Sequence, residues 1–356
     1  MYRYIGNKTK LLPHIMERVK QLIGPKGVVA DIMAGTGLVS LEFRKNGYQV
    51  IASDMMTYSY HHLNANLLLK SPPSFEGLYS SKILHSENEQ ERYEELLGYL
   101  NSLSPKKGFF YQEFSPDGTP DYGGDSRKYF SSQNAVKIDA IREKVNQWVS
   151  EKSLTDVEQS LLKHDLIMSV NEVANISGTY GYFLAELSEK PLAKIRLKPT
   201  EFLKYDTTGH SVLLGFAEEL AAGIKADLCY IDPPYMKRQY AANYHILETI
   251  ARGDSPDAIG KSGLRDWWDQ HSKLCTKTKG IQSLEEIIGE IDCQKILVSY
   301  SEDGLFSLEQ LVECFEKFGT VEVQIIDYNR FRSNESDLSK TLEEYLISIV
   351  KDMTET

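Results

Sequence analysis

The residues best suited to chemistry are Asp232-Pro233-Pro234-Tyr235. They follow an apolar run at 226–231 that reads as a buried strand. Two prolines cannot continue a central strand, so the chain must leave the sheet there with fixed φ. The Asp232 carboxylate and the Pro233 carbonyl then stand as two acceptors on a stiff loop. An exocyclic amine on a base ring has two hydrogens to donate and a lone pair delocalised into the ring. Two strong acceptors localise that lone pair for attack on a sulfonium methyl carbon. The ring of Tyr235 can stack on a base taken out of a duplex. A structural turn carrying an exposed aromatic is the plainer alternative.

A second motif, Asp31-Ile32-Met33-Ala34-Gly35-Thr36-Gly37, joins a strand at 28–33 to a helix that starts near Leu38 and stops at Gly47. Glycines there let the backbone approach a ligand at the carboxyl end of a parallel strand. The next strand, 48–53, ends at Asp54, where an acid can accept hydrogen bonds from both ribose hydroxyls of an adenosine. The pattern is not G-x-G-x-x-G, which disfavours a dinucleotide. A tight turn without a ligand is the other reading of the glycines.

These motifs need a scaffold of alternating strands and helices. Apolar residues Leu12, Ile15, Val19 and Leu22 have helical spacing, with Pro13 in the first turn. The unit at 28–54 is βαβ and points to a parallel α/β sheet. After the Asp232 loop come a helix at about 244–252, a strand at Lys295–Tyr300 and a helix at 307–318. Two strands, 320–327 and 344–350, lack a helix between them, so an antiparallel pair at the sheet edge is expected. Residues 71–200 interrupt the pattern: Pro72-Pro73 marks a break, 104–124 reads as loop, and helical periodicity returns at 134–149 and 157–175. The expected organisation is a catalytic domain from 1–70 and 201–356, with a mostly helical domain inserted at 71–200.

The chain has 356 residues, 41% of them hydrophobic, enough for a sizeable core. No apolar run is long enough to span a membrane and the first residues do not resemble a signal peptide, so a cytoplasmic protein is expected. Cys229, Cys275, Cys293 and Cys314 form no C-x-x-C pair and read as buried thiols. No cluster has the spacing of metal ligands. A net charge of −11 opposes nucleic-acid binding overall, but the charge is segregated. Lys190, Lys194, Arg196, Lys198 and Lys204 face only Glu201 within 190–204. Of these, Lys194, Arg196 and Lys198, together with Arg127 and Lys128, are candidate DNA contacts, as are Lys237 and Arg238 just after the Asp232 loop. Solvated surface is the alternative for all of them. For Trp267-Trp268 core packing is expected, with base stacking as the alternative. Arg265, Lys273, Lys277 and Lys279 read as a mobile basic loop. His245 and Glu248 read as structural.

With Asp-Pro-Pro-Tyr after a strand and the glycine motif far upstream, the sequence resembles the N6-adenine DNA methyltransferases of the Dam-like (D12) class. The opening Arg3-Tyr4-Ile5-Gly6-Asn7-Lys8 is similar to that class's first motif. Further similar stretches, including Arg127-Lys128-Tyr129-Phe130 and Ala174-Asn175-Ile176-Ser177-Gly178-Thr179-Tyr180, resemble a subfamily associated with restriction–modification. The resemblance implies a Rossmann-like S-adenosylmethionine-dependent methyltransferase sheet, mostly parallel, with an inserted target-recognition domain. It implies double-stranded DNA as substrate and a cognate restriction endonuclease as a potential partner. Tyr4, Lys8, Asp31, Gly35, Gly37 and Asp54 would bind the cofactor, and Asp232 would touch both cofactor and target amine. Two departures stand out. Met33 replaces the family's usual Phe, and Phe216 occupies the position where many members carry an acid for the cofactor's adenine.

Within the same chemistry, N4-cytosine methylation is the runner-up, though that class more often has Ser in place of Asp232. C5-cytosine methylation needs a nucleophilic Cys in a Pro-Cys loop, which is absent. A non-catalytic DNA- or cofactor-binding relative is the alternative from another class.

Overall fold

Apolar runs at Val28–Asp31, Leu228–Ile231 and Lys295–Ser301 form adjacent strands at the centre of a sheet. The structure is a computed structural model that describes residues 5–6, 8–329 and 341–352. Its seven strands are β1 Val28–Asp31, β2 Gln49–Asp54, β3 Ser211–Leu214, β4 Leu228–Ile231, β5 Lys295–Ser301, β6 Gly319–Asn329 and β7 Thr341–Lys351. They lie in the order β3-β2-β1-β4-β5-β7-β6. The first five are mutually parallel, and β7 runs antiparallel to both β5 and β6. The hairpin at the sheet edge is as expected, and its later strand, β7, is the one that joins β5.

β4 is buried along its whole length, as a parallel strand covered on both faces must be. On one face, the helix Gly280–Glu290 presents Leu284, Ile287 and Ile288 to a core shared with Cys229, Ile231, Ile296 and Val298. That spacing is one stripe of a helix. The helix Leu308–Phe315 starts on a capping box made by Ser307 and Gln310. All four cysteines are buried and unpaired. Among the described residues, no helix is long and apolar enough to cross a membrane.

The chain forms two compact units: the sheet unit, Gly6–Met55, Asp206–Gln239 and Ser272–Thr356, and a helical unit, Met1–Ile5, Met56–Tyr205 and Tyr240–His271. The helical unit is wider than the 71–200 block read from the sequence. It takes in the helix Thr57–Leu68, and also His245–Arg252, whose Glu248 is fully buried and accepts from the Thr57 and Tyr58 amides. At its centre lies Asp156–Val173, started by a Thr155–Glu158 capping box and buried on most sides. His245 is buried against the Tyr180 carbonyl at 3.0 Å, a structural role like that of Glu248.

Several expectations change in this unit. Residues Phe109–Phe114 form a helix inside the stretch expected to be loop. Its amino end is held by the Asp139 carboxylate, which accepts from the amides of Gly108, Phe110 and Tyr111 at 2.8–3.0 Å. Arg265 is not on a mobile basic loop. It is buried and forks onto Asp254 at 2.7 and 2.9 Å. Trp267 and Trp268 stack on each other at 5.1 Å, but Trp268 is 71% exposed, not core.

Arg127 is also corrected. It is 1% exposed, ion-paired with buried Glu113, and donates to the carbonyls of Ala258 and Gly260 at 3.0 Å each. Its donors are spent within the unit, and none is turned to a phosphate. Removing one partner of a buried pair strands the other. Arg127→Ala should therefore lower unfolding free energy by about 3–5 kcal/mol in urea titration. Exposed Lys194→Ala should change it by less than about 0.5 kcal/mol. Equal small losses for both would contradict the buried role.

Candidate active site

β1 delivers Asp31 into the glycine turn. Gly35 and Gly37 sit at φ 56° and 79°, where a side chain would be strained, and Gly37 caps the helix Leu38–Lys45. The turn is tied to β2: the Ala34 amide donates to the Ser53 carbonyl at 3.0 Å, and the Gly35 amide to Asp54 Oδ2 at 2.8 Å. Asp54 thus braces the loop with its carboxylate half-exposed at the end of its strand. Beside it, Gly215 donates to the Asp54 carbonyl at 3.0 Å, and half-buried Phe216 follows.

Asp31 is buried, with Oδ2 accepting from Ser40 Oγ at 2.6 Å and Oδ1 without a partner. Burial pushes its carboxyl up to about 7, and the nearby charges of Asp232 and Asp54 add to the rise. The three acids expected from sequence therefore lie within electrostatic reach of one another. Register explains the closeness: Asp31 on β1 pairs with Tyr230 on β4, two positions before Asp232.

At Asp232, one oxygen collects three donors. Oδ1 accepts from Tyr235 OH at 2.7 Å and from Ser299 Oγ at 3.1 Å, and lies 3.0 Å from Lys8 Nζ. Lys8 is only 4% exposed, also donates to the Tyr235 hydroxyl, and sits 4.3 Å from the centre of that ring. Burial raises the Asp232 carboxyl above its ordinary range, and the Lys8 charge followed by the Lys8 and Ser299 hydrogen bonds opposes the rise. Tyr235 is half-buried, its ring edge-on to Tyr300 at 5.1 Å. Its carbonyl accepts from the Leu305 amide at 3.0 Å, which holds the loop after Pro233-Pro234.

Sequence reading placed Lys8 near a cofactor; here its amine sits on Asp232. Tyr4 lies outside the described residues. Ser299, Tyr230 and Glu344 were missed. Ser299 and Ser301 are polar interruptions of an apolar strand, which was the available signal. Buried Glu344, opposite Ser301 on β7, has an unpartnered Oε2 and feels the charges of both Lys8 and Asp232.

The remaining basic candidates divide. Lys237 and Arg238 are exposed just after the loop. Lys128 is half-buried and donates to the Ala185 carbonyl at 3.0 Å. In the helical unit, Ile195 and Leu197 are buried while Lys194, Arg196 and Lys198 point outward, Lys198 paired with Glu172 at 2.6 Å. This extended segment is pinned from within: Asn134 accepts from the Ile195 amide and Asn101 from the Leu197 amide, each at 2.9 Å.

Comparison with known proteins places the chain in a family. The family model described as D12 class N6 adenine-specific DNA methyltransferase matches residues 4–323. The type II methyltransferase M.NlaIII of Neisseria lactamica is 34% identical over 94% of this chain and 93% of its own length. M.CviAII of Paramecium bursaria Chlorella virus 1 is 31% identical over 97% of both chains. M.FokI of Planomicrobium okeanokoites is 32% identical over 99% of this chain, which spans only 53% of that relative.

The state of Asp31 yields a stability prediction. Its folded carboxyl titrates near 7, above the ordinary 3.8, so its contribution is fully present below about pH 3.8 and is lost as pH rises to about 7. Asp31→Asn stays neutral throughout. Its stability relative to wild type should rise by on the order of 2–3 kcal/mol between pH 5 and pH 8, levelling off above 7. Urea titrations of the ligand-free protein across that range measure this. A pH-independent difference would contradict it.

Proposed function

We propose that this chain, which belongs to the D12 class of N6 adenine-specific DNA methyltransferases, uses S-adenosylmethionine to methylate an adenine in double-stranded DNA through Asp232 and the Pro233 carbonyl. The observation that carries this reading is the loading of Asp232 Oδ1 by three donors on a stiff loop, beside the glycine turn of β1.

The residues present fit the cofactor. Asp31 offers a buried carboxylate oxygen without a partner, suited to an ammonium group. Asp54, held by Gly35, is suited to ribose hydroxyls, and Gly35 and Gly37 keep the turn bare. Phe216 gives an apolar wall where relatives have an acid, leaving backbone groups to meet the adenine edge. The cofactor supplies a methyl group on a positively charged sulfur. Asp232 and the Pro233 carbonyl accept the two amine hydrogens, which concentrates the nitrogen lone pair for attack. Asp232 must be ionised to do this, and Lys8 favours that form. Pro234 keeps the loop stiff, and Tyr235 orients Asp232 through its hydroxyl while its ring offers a face to the extruded base.

We assign target selection to the helical unit, with Lys194, Arg196 and Lys198 as phosphate contacts and Lys128, Lys237 and Arg238 as further ones. Relatives named as modification methylases, such as that of StsI from Streptococcus sanguinis, suggest a restriction–modification system in the cytoplasm with a cognate endonuclease.

Asp232→Ala should reduce methyl transfer by on the order of 10²–10³, read as label incorporated into DNA lacking adenine methylation. Wild-type turnover would sink the assignment. Asp54→Ala should weaken S-adenosylmethionine binding by about 1.5–3 kcal/mol in calorimetry while leaving DNA affinity unchanged. Neutralising Lys194, Arg196 and Lys198 together should lower the slope of log affinity against log salt by about 0.9 for each phosphate that no longer meets a cation. An unaltered slope would remove that segment from the interface.

A further inference from the structure

We infer that Ser299, backed by Tyr230, is a positioning residue that fixes Asp232 so that Oδ1 is held by the protein and Oδ2 is the oxygen presented to the target amine. The inference rests on the assignment of Asp232 as an amine acceptor.

The register brings these groups together. Ile231 on β4 pairs with Val298 on β5, so one step further sets Asp232 beside Ser299. Tyr230 and Asp232 are two apart and share a face of the sheet. Ser299 Oγ reaches Asp232 Oδ1 at 3.1 Å and the Tyr230 hydroxyl at 2.9 Å. Tyr230 and Ser299 are both fully buried, so both must use their hydroxyls within the protein.

Chemistry sets the direction of the chain. An ionised carboxylate only accepts, so Ser299 donates its single proton to Asp232. Its lone pair then accepts from Tyr230. The Tyr235 hydroxyl and the Lys8 ammonium also approach Oδ1. Among the described residues, no hydrogen bond or ion pair reaches Oδ2. A carboxylate with one oxygen fixed from three sides cannot rotate without breaking all three interactions, so its second oxygen is aimed before the base arrives. Preorganisation of this kind is worth more than the same acceptor free to turn. Lys8 and Tyr235 belong to the N-terminal segment and to the loop, whereas Ser299 and Tyr230 stand on rigid strands.

The groups that bear on Asp232 are Lys8 from the N-terminal segment, Asp31 at the end of β1, Tyr230 on β4, Tyr235 on its own loop, Ser299 on β5 and Glu344 on β7. Burial opposes the carboxylate, and Lys8 and the Ser299 hydroxyl favour it. Loss of the Ser299 donor must therefore favour protonation, and the rate must fail at a higher pH than in wild type.

The test is single-turnover methyl transfer to DNA lacking adenine methylation, with labelled S-adenosylmethionine, across a pH series. Ser299→Ala should slow the step about ten- to a hundredfold, the rate equivalent of one hydrogen bond to a charged group. Its acid limb should move to higher pH, and affinity for DNA should be unchanged. Ser299→Thr keeps the hydroxyl and should restore rate and limb. Tyr230→Phe should give a smaller fall in the same direction, and it carries the test if Ser299→Ala does not fold. A wild-type rate and limb in Ser299→Ala, or in Tyr230→Phe when that variant stands alone, overturns the inference. So does a slow Ser299→Ala whose limb is unmoved and which Ser299→Thr does not rescue, because that pattern is a packing defect. Asp232→Ala separates the two levels. If it is inactive while Ser299→Ala is normal, only this inference fails; if it is active, the assignment of Asp232 fails.

Discussion

The site depends on one backbone pairing, that of β1 with β4. These strands are neighbours in the sheet although nearly two hundred residues separate them in the chain, including β2 and β3 on the far side of β1. The strand order reverses between them, and at such a reversal the loops at the carboxyl ends diverge and leave a crevice. One loop there is the glycine turn and the other is the stiff proline loop. A slip of one residue would turn every side chain of a strand to the other face. Continuous burial of β4 and the pairing of Val29, Ala30 and Asp31 with Leu228, Cys229 and Tyr230 fix the register that brings the acids together.

That closeness has an electrostatic consequence. Asp31, Asp232 and Glu344 are all carboxylates with pKa values displaced upward, chiefly by burial. One buried cation, Lys8, serves the latter two. Like charges in a poorly solvated site resist ionising together. The lysine charge opposes the rise at both, and its place 3.0 Å from Asp232 Oδ1 favours ionisation of the acid on the proline loop. The N-terminal segment therefore bears on the Asp232 carboxylate even though it precedes every strand.

Much of this was legible in the sequence because it rests on local rules. Double proline after an apolar strand, glycines between strand and helix, and the absence of a helix between the last two strands each have one ready structural meaning. What escaped depends on partners far away in sequence. Arg127 looks like any surface arginine until Glu113 and two distant carbonyls enclose it. The helix Phe109–Phe114 has no cap of its own because Asp139 provides one. Trp268 is exposed because its large ring stacks on Trp267 and His271 instead of entering a core. Ser299 acquires meaning only through the register of β5 against β4.

The place of β7 bears on how the molecule is made. This strand, the last of the seven in sequence, pairs with β5 on one side and β6 on the other, over Lys295 to Ser301 and Gly319 to Asn329. While the chain is still being synthesised, β5 has no partner on that edge, and β6 has no pairing with the rest of the sheet. Unpaired edges of this kind invite association with other chains. The helical segment Met56–Tyr205, by contrast, is largely complete much earlier in translation. Nascent chains therefore emerge with their helical part able to fold while the strand bearing Ser299 stays open at its edge, and that strand closes only when residues 341–351 have left the ribosome. Sheet closure is thus late, and until it occurs one edge of β5 is left open to other chains.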